Sequence, residues 1–272
     1  MRTFLLISLL MGSSAMLWRC SHLVPKKFLP QEFEYELILD PVFSASNNKF
    51  TIDSTNGSFV YLDGDIKLIF EQKSDRELNK RFASNSDKGK NSTNPFTYGN
   101  WVDIGLGYSP PRFTVFGISL YNYALPKMQF DPQKTRLILN TGEKFYPYSE
   151  FRSVESYQSF EEYYTHLRGF SGNELKRYQE RMGIINSQLL SNKEILFKGD
   201  DRTGHIAFDP LPENVKDVTL KIQDIYVAYD KYDRPEKILN LELKFVKRIV
   251  KKEKMGSPEK KEPAKKVSLK LK

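Results

Sequence analysis

The chain is short of the residues that carry most enzyme and metal chemistry. Its 272 residues include one cysteine, Cys20, and three histidines, His22, His166 and His205. A lone cysteine excludes an internal disulfide, so stability has to come from a packed core. No HExxH and no paired-cysteine spacing occurs, which leaves a zinc site without local support. A GxSxG elbow, a GxxxxGK[ST] loop and a GxGxxG fingerprint are all missing. Close pairs of aspartates occur only as Asp63-Gly-Asp65, Asp200-Asp201 and Asp230-x-x-Asp233, and none has the EF-hand spacing. Such residues also belong in turns for backbone reasons. The composition therefore nominates no catalytic residue, no metal ligand and no cofactor site.

An excess of charge is missing too, once the charge is located. The net +8 resembles a nucleic-acid signal, but residues 247–272 alone hold eleven Lys or Arg against three Glu. That excess equals the total, so residues 1–246 are balanced. No aromatic residue follows Phe245, and Gly256, Pro258 and Pro263 oppose a long helix, so a stacking platform for RNA is not expected. Residues 248–272 read as a disordered basic tail with no nucleic-acid partner.

The N-terminus reads as an export signal. Met1-Arg2 is a minimal basic start, and Phe4 to Met11 (FLLISLLM) is an apolar stretch too short to span a bilayer. Two processing routes stay open. Ser13-Ser14-Ala15 offers the small residues of a signal-peptidase site, with a cut after Ala15. Cys20 instead stands where a bacterial lipoprotein carries its acylated cysteine. Leu17, three residues earlier, resembles the lipobox, whereas Trp18 and Arg19 depart from it. Residues 1–20 are thus a leader, with Cys20 the candidate lipidation site, and 21–30 a tether carrying Pro25 and Pro30.

Residues 31–247 read as one β domain. Aromatic residues make up 13% of the chain, a composition that suits strands. The organising stretch runs from Arg112 to Tyr148. In its first strand Phe116, Ile118 and Leu120 share one face, while Phe113 and Val115 load the other. A strand apolar on both faces belongs inside a sheet with a cover on its back. Phe33 to Leu39 alternates with an acidic outer face, and Asn56-Gly57 and Asp63-Gly64 are hairpin dipeptides. Val218, Leu220 and Ile222 alternate until the phase slips at Asp224, which predicts a bulge or a new strand. Leu239, Leu241, Leu243 and Phe245 form another alternating strand. Between the early and central strands, Gln72 to Pro95 is polar and reads as a long surface loop.

Residues 159–183 break the β pattern. Ser159-x-x-Glu162 and Ser171-x-x-Glu174 are capping boxes, Phe170 and Leu175 stand at staple positions, and Gly169 and Gly183 are stop signals. The first helix carries the stripe Phe160, Tyr163, Tyr164 and Leu167. This stripe either covers the back of the central strand or docks a partner.

Nine or ten short strands without a βαβ rhythm predict an antiparallel sandwich with a two-helix insertion. The turn from Asn122 to Asp131, the Leu137-Ile-Leu-Asn-Thr-Gly142 strand end and the Gly204-x-Ile-x-Phe208-Asp-Pro-Leu-Pro212 turn carry a resemblance. Together they are similar to immunoglobulin-like β-sandwich domains of uncharacterised bacterial exported proteins and lipoproteins, over residues 112–246. The resemblance implies a mainly β fold and an exported location, and no reaction. The expected function is a non-enzymatic envelope protein, membrane-anchored through its N-terminal lipid, acting as a binding or assembly module with an envelope protein partner. The alternative is a secreted hydrolase or enzyme accessory domain using the loop carboxylates.

Overall fold

The computed structural model describes residues 33–40, 50–53, 57–190 and 192–251. The leader, Cys20, the tether and residues 252–272 lie outside the described residues. Four strands open the described chain: β1 (Phe33–Leu39), β2 (Phe50–Asp53), β3 (Ser58–Leu62) and β4 (Ile66–Lys73). Helices α1 (Asp75–Arg81) and α2 (Ala83–Ser86) come next, then β5 (Thr114–Asn122), β6 (Lys127–Phe130) and β7 (Arg136–Leu139). The short strands β8 (Lys144–Phe145), β9 (Tyr148–Ser149) and β10 (Gln158–Ser159) lead to α3 (Phe160–Thr165) and α4 (Gly172–Gln188). Strands β11 (Glu194–Phe197), β12 (Asp201–Phe208), β13 (Asp217–Tyr229) and β14 (Pro235–Lys251) close the described chain.

Two open antiparallel sheets result. One has the order β12-β5-β4-β3-β2, in which β2 to β5 form a consecutive meander. The other runs β1-β14-β13-β6-β11, with β7 also on β13 and β8 beside β7. Their inner faces share one core. Phe116, Ile118 and Leu120 of β5 meet Leu241, Leu243 and Phe245 of β14 there, with the rings of Phe116 and Phe245 5.4 Å apart. The outer face of β5 is buried only at the start of the strand, where Phe113 and Val115 belong to a second cluster beneath the helices, while Gly117, Ser119 and Tyr121 farther along are half-buried. The two-faced burial expected from its apolar pattern holds for the Phe113 to Phe116 end of the strand.

The sheets join at a corner built around Asn122, which is buried at the end of β5. Its Nδ2 donates to the carbonyls of Leu125 (2.9 Å) and Leu196 (3.0 Å), and its Oδ1 accepts from the Leu125 N–H. Its backbone N–H donates to Asp200, and its carbonyl accepts from Gly199. One amide therefore ties the β5–β6 bend to the β11–β12 turn, where the chain crosses between sheets. The second irregularity is at Asp224, with φ of 58°. The β13–β14 register shifts between Ile222 and Ile225, and both side chains are fully buried. Three residues apart, they would face opposite ways in a regular strand, so the bulge turns both inward.

Several sequence expectations need correction. Residues 72–95 are not a surface loop. Ser74 and Glu77 form a reciprocal capping box that starts α1, and Ser86, Ser92, Thr93 and Asn94 are buried. Asn94 is the hub: its Nδ2 donates to Leu78 O, Asn79 Oδ1 and Ser86 Oγ, and its Oδ1 accepts from Phe96 N–H. The polar residues are there to satisfy one another inside the segment, which composition alone does not distinguish from solvation.

Helix α4 continues five residues past Gly183, because Ile185 beyond it is fully buried and one mid-helix glycine costs only about 1 kcal/mol. Ser171 makes no side-chain cap bond, and Phe170 is fully exposed, so the expected staple does not form. Strand β14 runs on to Lys251, with Arg248 to Lys251 paired to Glu36 to Phe33, four residues into the expected tail.

Gly99 is a sensitive point of the polar segment. Its φ is +66°, and a Cβ there would lie 2.4 Å from the Ser86 carbonyl oxygen. Gly99→Ala is expected to destabilise the protein by about 2–4 kcal/mol, read as a lowered urea midpoint. Gly142→Ala, also at positive φ but in open space, should cost about 1–2 kcal/mol and supplies the comparison.

Candidate functional site

The back of β5 decides how the helical segment folds. Phe113, Val115 and, from β12, Ala207 present an apolar surface that strands alone leave uncovered. Helix α3 starts at Ser159, whose Oγ accepts from the Glu162 N–H at 3.2 Å, and lays Phe160 and Tyr164 onto that surface. The rings of Phe113 and Phe160 are 5.1 Å apart and nearly perpendicular, and Phe96 meets Phe160 edge-on at 5.9 Å. Phe160 and Tyr164 are fully buried, Tyr163 is half-buried, and Leu167 is 43% exposed. Of the four residues named as a docking stripe, two face wholly inward and one faces solvent.

Beneath this cover lie two cations that the sequence pattern did not single out. Arg112, just before β5, is 8% exposed, and Arg181 of α4 is 5% exposed. Arg112 Nη1 donates to Asn94 O (3.3 Å) and to the Tyr164 hydroxyl (3.1 Å), and its guanidinium lies 3.9 Å from the Tyr98 ring centroid. Arg181 Nη2 donates to Ser92 O at 2.7 Å, and its guanidinium sits 5.1 Å from the Tyr164 ring. The Tyr164 hydroxyl in turn donates to Pro95 O at 2.6 Å. Two guanidinium groups thus flank one buried tyrosine and hold residues 92–95 against the helices.

Among the described residues no carboxylate forms an ion pair with either arginine, and the Nε of each is buried without a hydrogen-bond partner. Burial, with the like charges of Arg112 and Arg177 nearby, pushes Arg181 down from its ordinary pKa. Burial also pushes the Tyr164 hydroxyl up, while the two guanidinium groups pull it back. A signal for Arg181 did exist in the sequence. Tyr178, Arg181, Met182 and Ile185 fall at i, i+3, i+4 and i+7, so a cation occupies the inward stripe of α4.

The other candidates are engaged elsewhere. His166 follows α3 and is exposed, and His22 lies outside the described residues. His205 is buried in β12, its Nδ1 3.3 Å from Gln188 O and its ring 5.4 Å from Phe96. The loop carboxylates close turns. Asp63 accepts from the Tyr61 hydroxyl, and Asp200 from the Phe197 N–H. Asp230 accepts from the N–H groups of Tyr232 and Arg234, and Asp233 pairs with Lys127. Among the described residues no group of three His, Cys, Asp or Glu is arranged to hold a metal. A groove of about 580 Å³ opens between β1 and α1, lined by groups of both signs that include Glu36, Glu71, Arg76, Glu77 and Lys80.

Comparison with protein-family models, with curated proteins and with solved structures returned no match. The site is therefore read from its own geometry.

Two outcomes follow from this packing. Tyr164→Ala should cost about 3–5 kcal/mol in urea unfolding, whereas Leu167→Ala should change stability by less than about 1 kcal/mol. An equal effect of both would contradict the division of the stripe into a buried and a solvent-facing part.

Burial, aided by the nearby cations Arg81 and Lys73, pushes His205 from 6.5 down to about 4. Above pH 6.5 both folded and unfolded states hold it neutral. Between pH 6.5 and 4 the unfolded chain takes up the proton first, so stability falls as the pH drops through that window. The loss should reach about 3 kcal/mol. His205→Phe should remove that part of the slope in denaturation measured across pH 4–7.

Proposed function

We propose that this chain is an exported, membrane-anchored envelope protein that acts as a non-enzymatic binding or assembly module with an envelope protein partner. The observation that carries the location is the Phe4 to Met11 apolar leader followed by the chain's single cysteine, Cys20. No helix among the described residues is long and apolar enough to cross a membrane, so attachment in this reading comes from lipid on Cys20. Support for binding comes from the helical cover, whose buried guanidinium pair is recognition chemistry. The immunoglobulin-like part of the reading rests on two antiparallel sheets facing one core. The β2-β3-β4-β5 meander is not the Greek-key order of such domains, and the insertion of α3 and α4 extends them.

The alternative, a secreted hydrolase or enzyme accessory domain, would draw on the loop carboxylates. It has less support, because Asp63, Asp200 and Asp230 already accept hydrogen bonds that shape their own turns.

Labelled palmitate tests the anchor. Incorporation of label into the wild-type chain, with release of Cys20→Ala from membranes, is the expected result. Membrane association that survives the substitution, with no label incorporated, would instead favour cleavage after Ala15 and overturn the lipid anchor.

A further inference from the structure

Buried cations are normally matched by a carboxylate, because an uncompensated charge loses several kcal/mol of hydration. Arg112 and Arg181 depart from that pattern together. They approach the same tyrosine from separate elements, with guanidinium carbons 5.8 Å and 5.1 Å from the Tyr164 ring centroid. The charges face backbone carbonyls, the Tyr164 hydroxyl and the rings of Tyr98 and Tyr164, with no carboxylate among the described residues paired to them. Those contacts offset part of the desolvation, since a cation over a desolvated ring gains about 2 kcal/mol. They do not cancel a charge, and they leave the Nε–H of both arginines unused.

We propose that Arg112 and Arg181 form a binding site for a small oxyanion group, a carboxylate or a phosphate, beside Tyr164. The guanidinium fork suits this ligand, because neighbouring N–H groups match the spacing of two oxygens on one carbon or phosphorus. The existing bonds fix the two side chains in place, so the anion meets donors that are already positioned. Tyr98, over the Arg112 guanidinium, and Tyr163, edge-on to Tyr164 at 4.9 Å, are both half-buried. Arg177, one turn before Arg181 and 27% exposed, adds positive potential on the outer side and is only loosely tied to Glu174 at 3.6 Å. The site is assembled from three stretches of chain: residues 92–98, Arg112, and the helical pair α3–α4. An anion bound there would draw the polar segment and the helical cover together.

This inference gives the binding part of the proposed function a ligand class, and it rests on that part alone. Anion binding is measured on purified protein, so it is tested separately from membrane attachment.

The experiment is thermal unfolding of the described domain in its full chain, in chloride, phosphate and acetate at matched ionic strength. Phosphate, acetate or both should raise the midpoint saturably, by about 3 °C or more at concentrations well above the dissociation constant. Whichever anion acts identifies the oxyanion type. Phosphate also stabilises proteins by exclusion from their surface, and that effect neither saturates nor needs the arginines.

Arg181→Met removes the charge while keeping the packing volume. It should abolish the saturable shift and leave the chloride midpoint within a few degrees of wild type, or above it. If Arg181→Met fails to fold, Arg181→Lys keeps the charge without the fork and should weaken the anion about tenfold. The proposal is overturned by a wild-type shift that does not saturate. It is equally overturned by a saturable shift that Arg181→Met and Arg181→Lys retain in full.

Discussion

Everything in this fold answers to the burial of β5 on both faces. Phe116, Ile118 and Leu120 need one cover, and Phe113 and Val115 need another. Each of these side chains contributes about 1.5–3 kcal/mol when removed from water, so leaving either face open would remove a large part of a typical domain's stability. The sheet containing β14 and β13 covers the first face. The second is covered by α3, by α4, by the segment before β5 and by Tyr148 of β9. The helical insertion is thus a structural necessity of this strand, which explains why Phe160 and Tyr164 are buried although they looked available for docking.

The parts legible in the sequence were those in which side-chain periodicity and burial agree. The two faces of β5, the hairpin at Gly64, the bulge at Asp224 and the cap at Ser159 all follow from local rules, and the structure has them. The misjudged parts were those in which a polar residue points inward. Residues 72–95 have the composition of a solvated loop, yet Asn94 alone has three acceptors within hydrogen-bond distance of its Nδ2. A polar side chain satisfied by backbone carbonyls has the same one-letter code as one satisfied by water. The missed capping box at Ser74 and Glu77 was the one local clue that this segment folds.

Arg112 and Arg181 were hidden for the same reason. A cation count says nothing about where a charge sits, and residues 1–246 are balanced overall. The signal lay in phase: Arg181 interrupts an inward stripe, and Arg112 stands between Pro111 and the first buried residue of the central strand. The proposed export rests on residues 1–20 alone, and no contact in the folded domain bears on it.

The order of the polar segment and the burial of the two arginines depend on one electrostatic relation. An arginine buried among aliphatic side chains would be prohibitively costly, so the segment packed over Arg112 and Arg181 has to be rich in acceptors. Ser92 and Asn94 supply carbonyls to them, and Pro95 accepts from the tyrosine held between them. Those carbonyls face the arginines only because the Asn94 amide and the Gly99 turn fold residues 85–100 into a compact unit. The polar segment, ordered by those internal bonds, solvates two buried cations, and the cations stay buried because the segment is ordered. Carbonyl dipoles can solvate a charge without neutralising it. That leaves a net positive potential enclosed by tyrosines at the back of β5, in the one region where both clusters of misread residues meet.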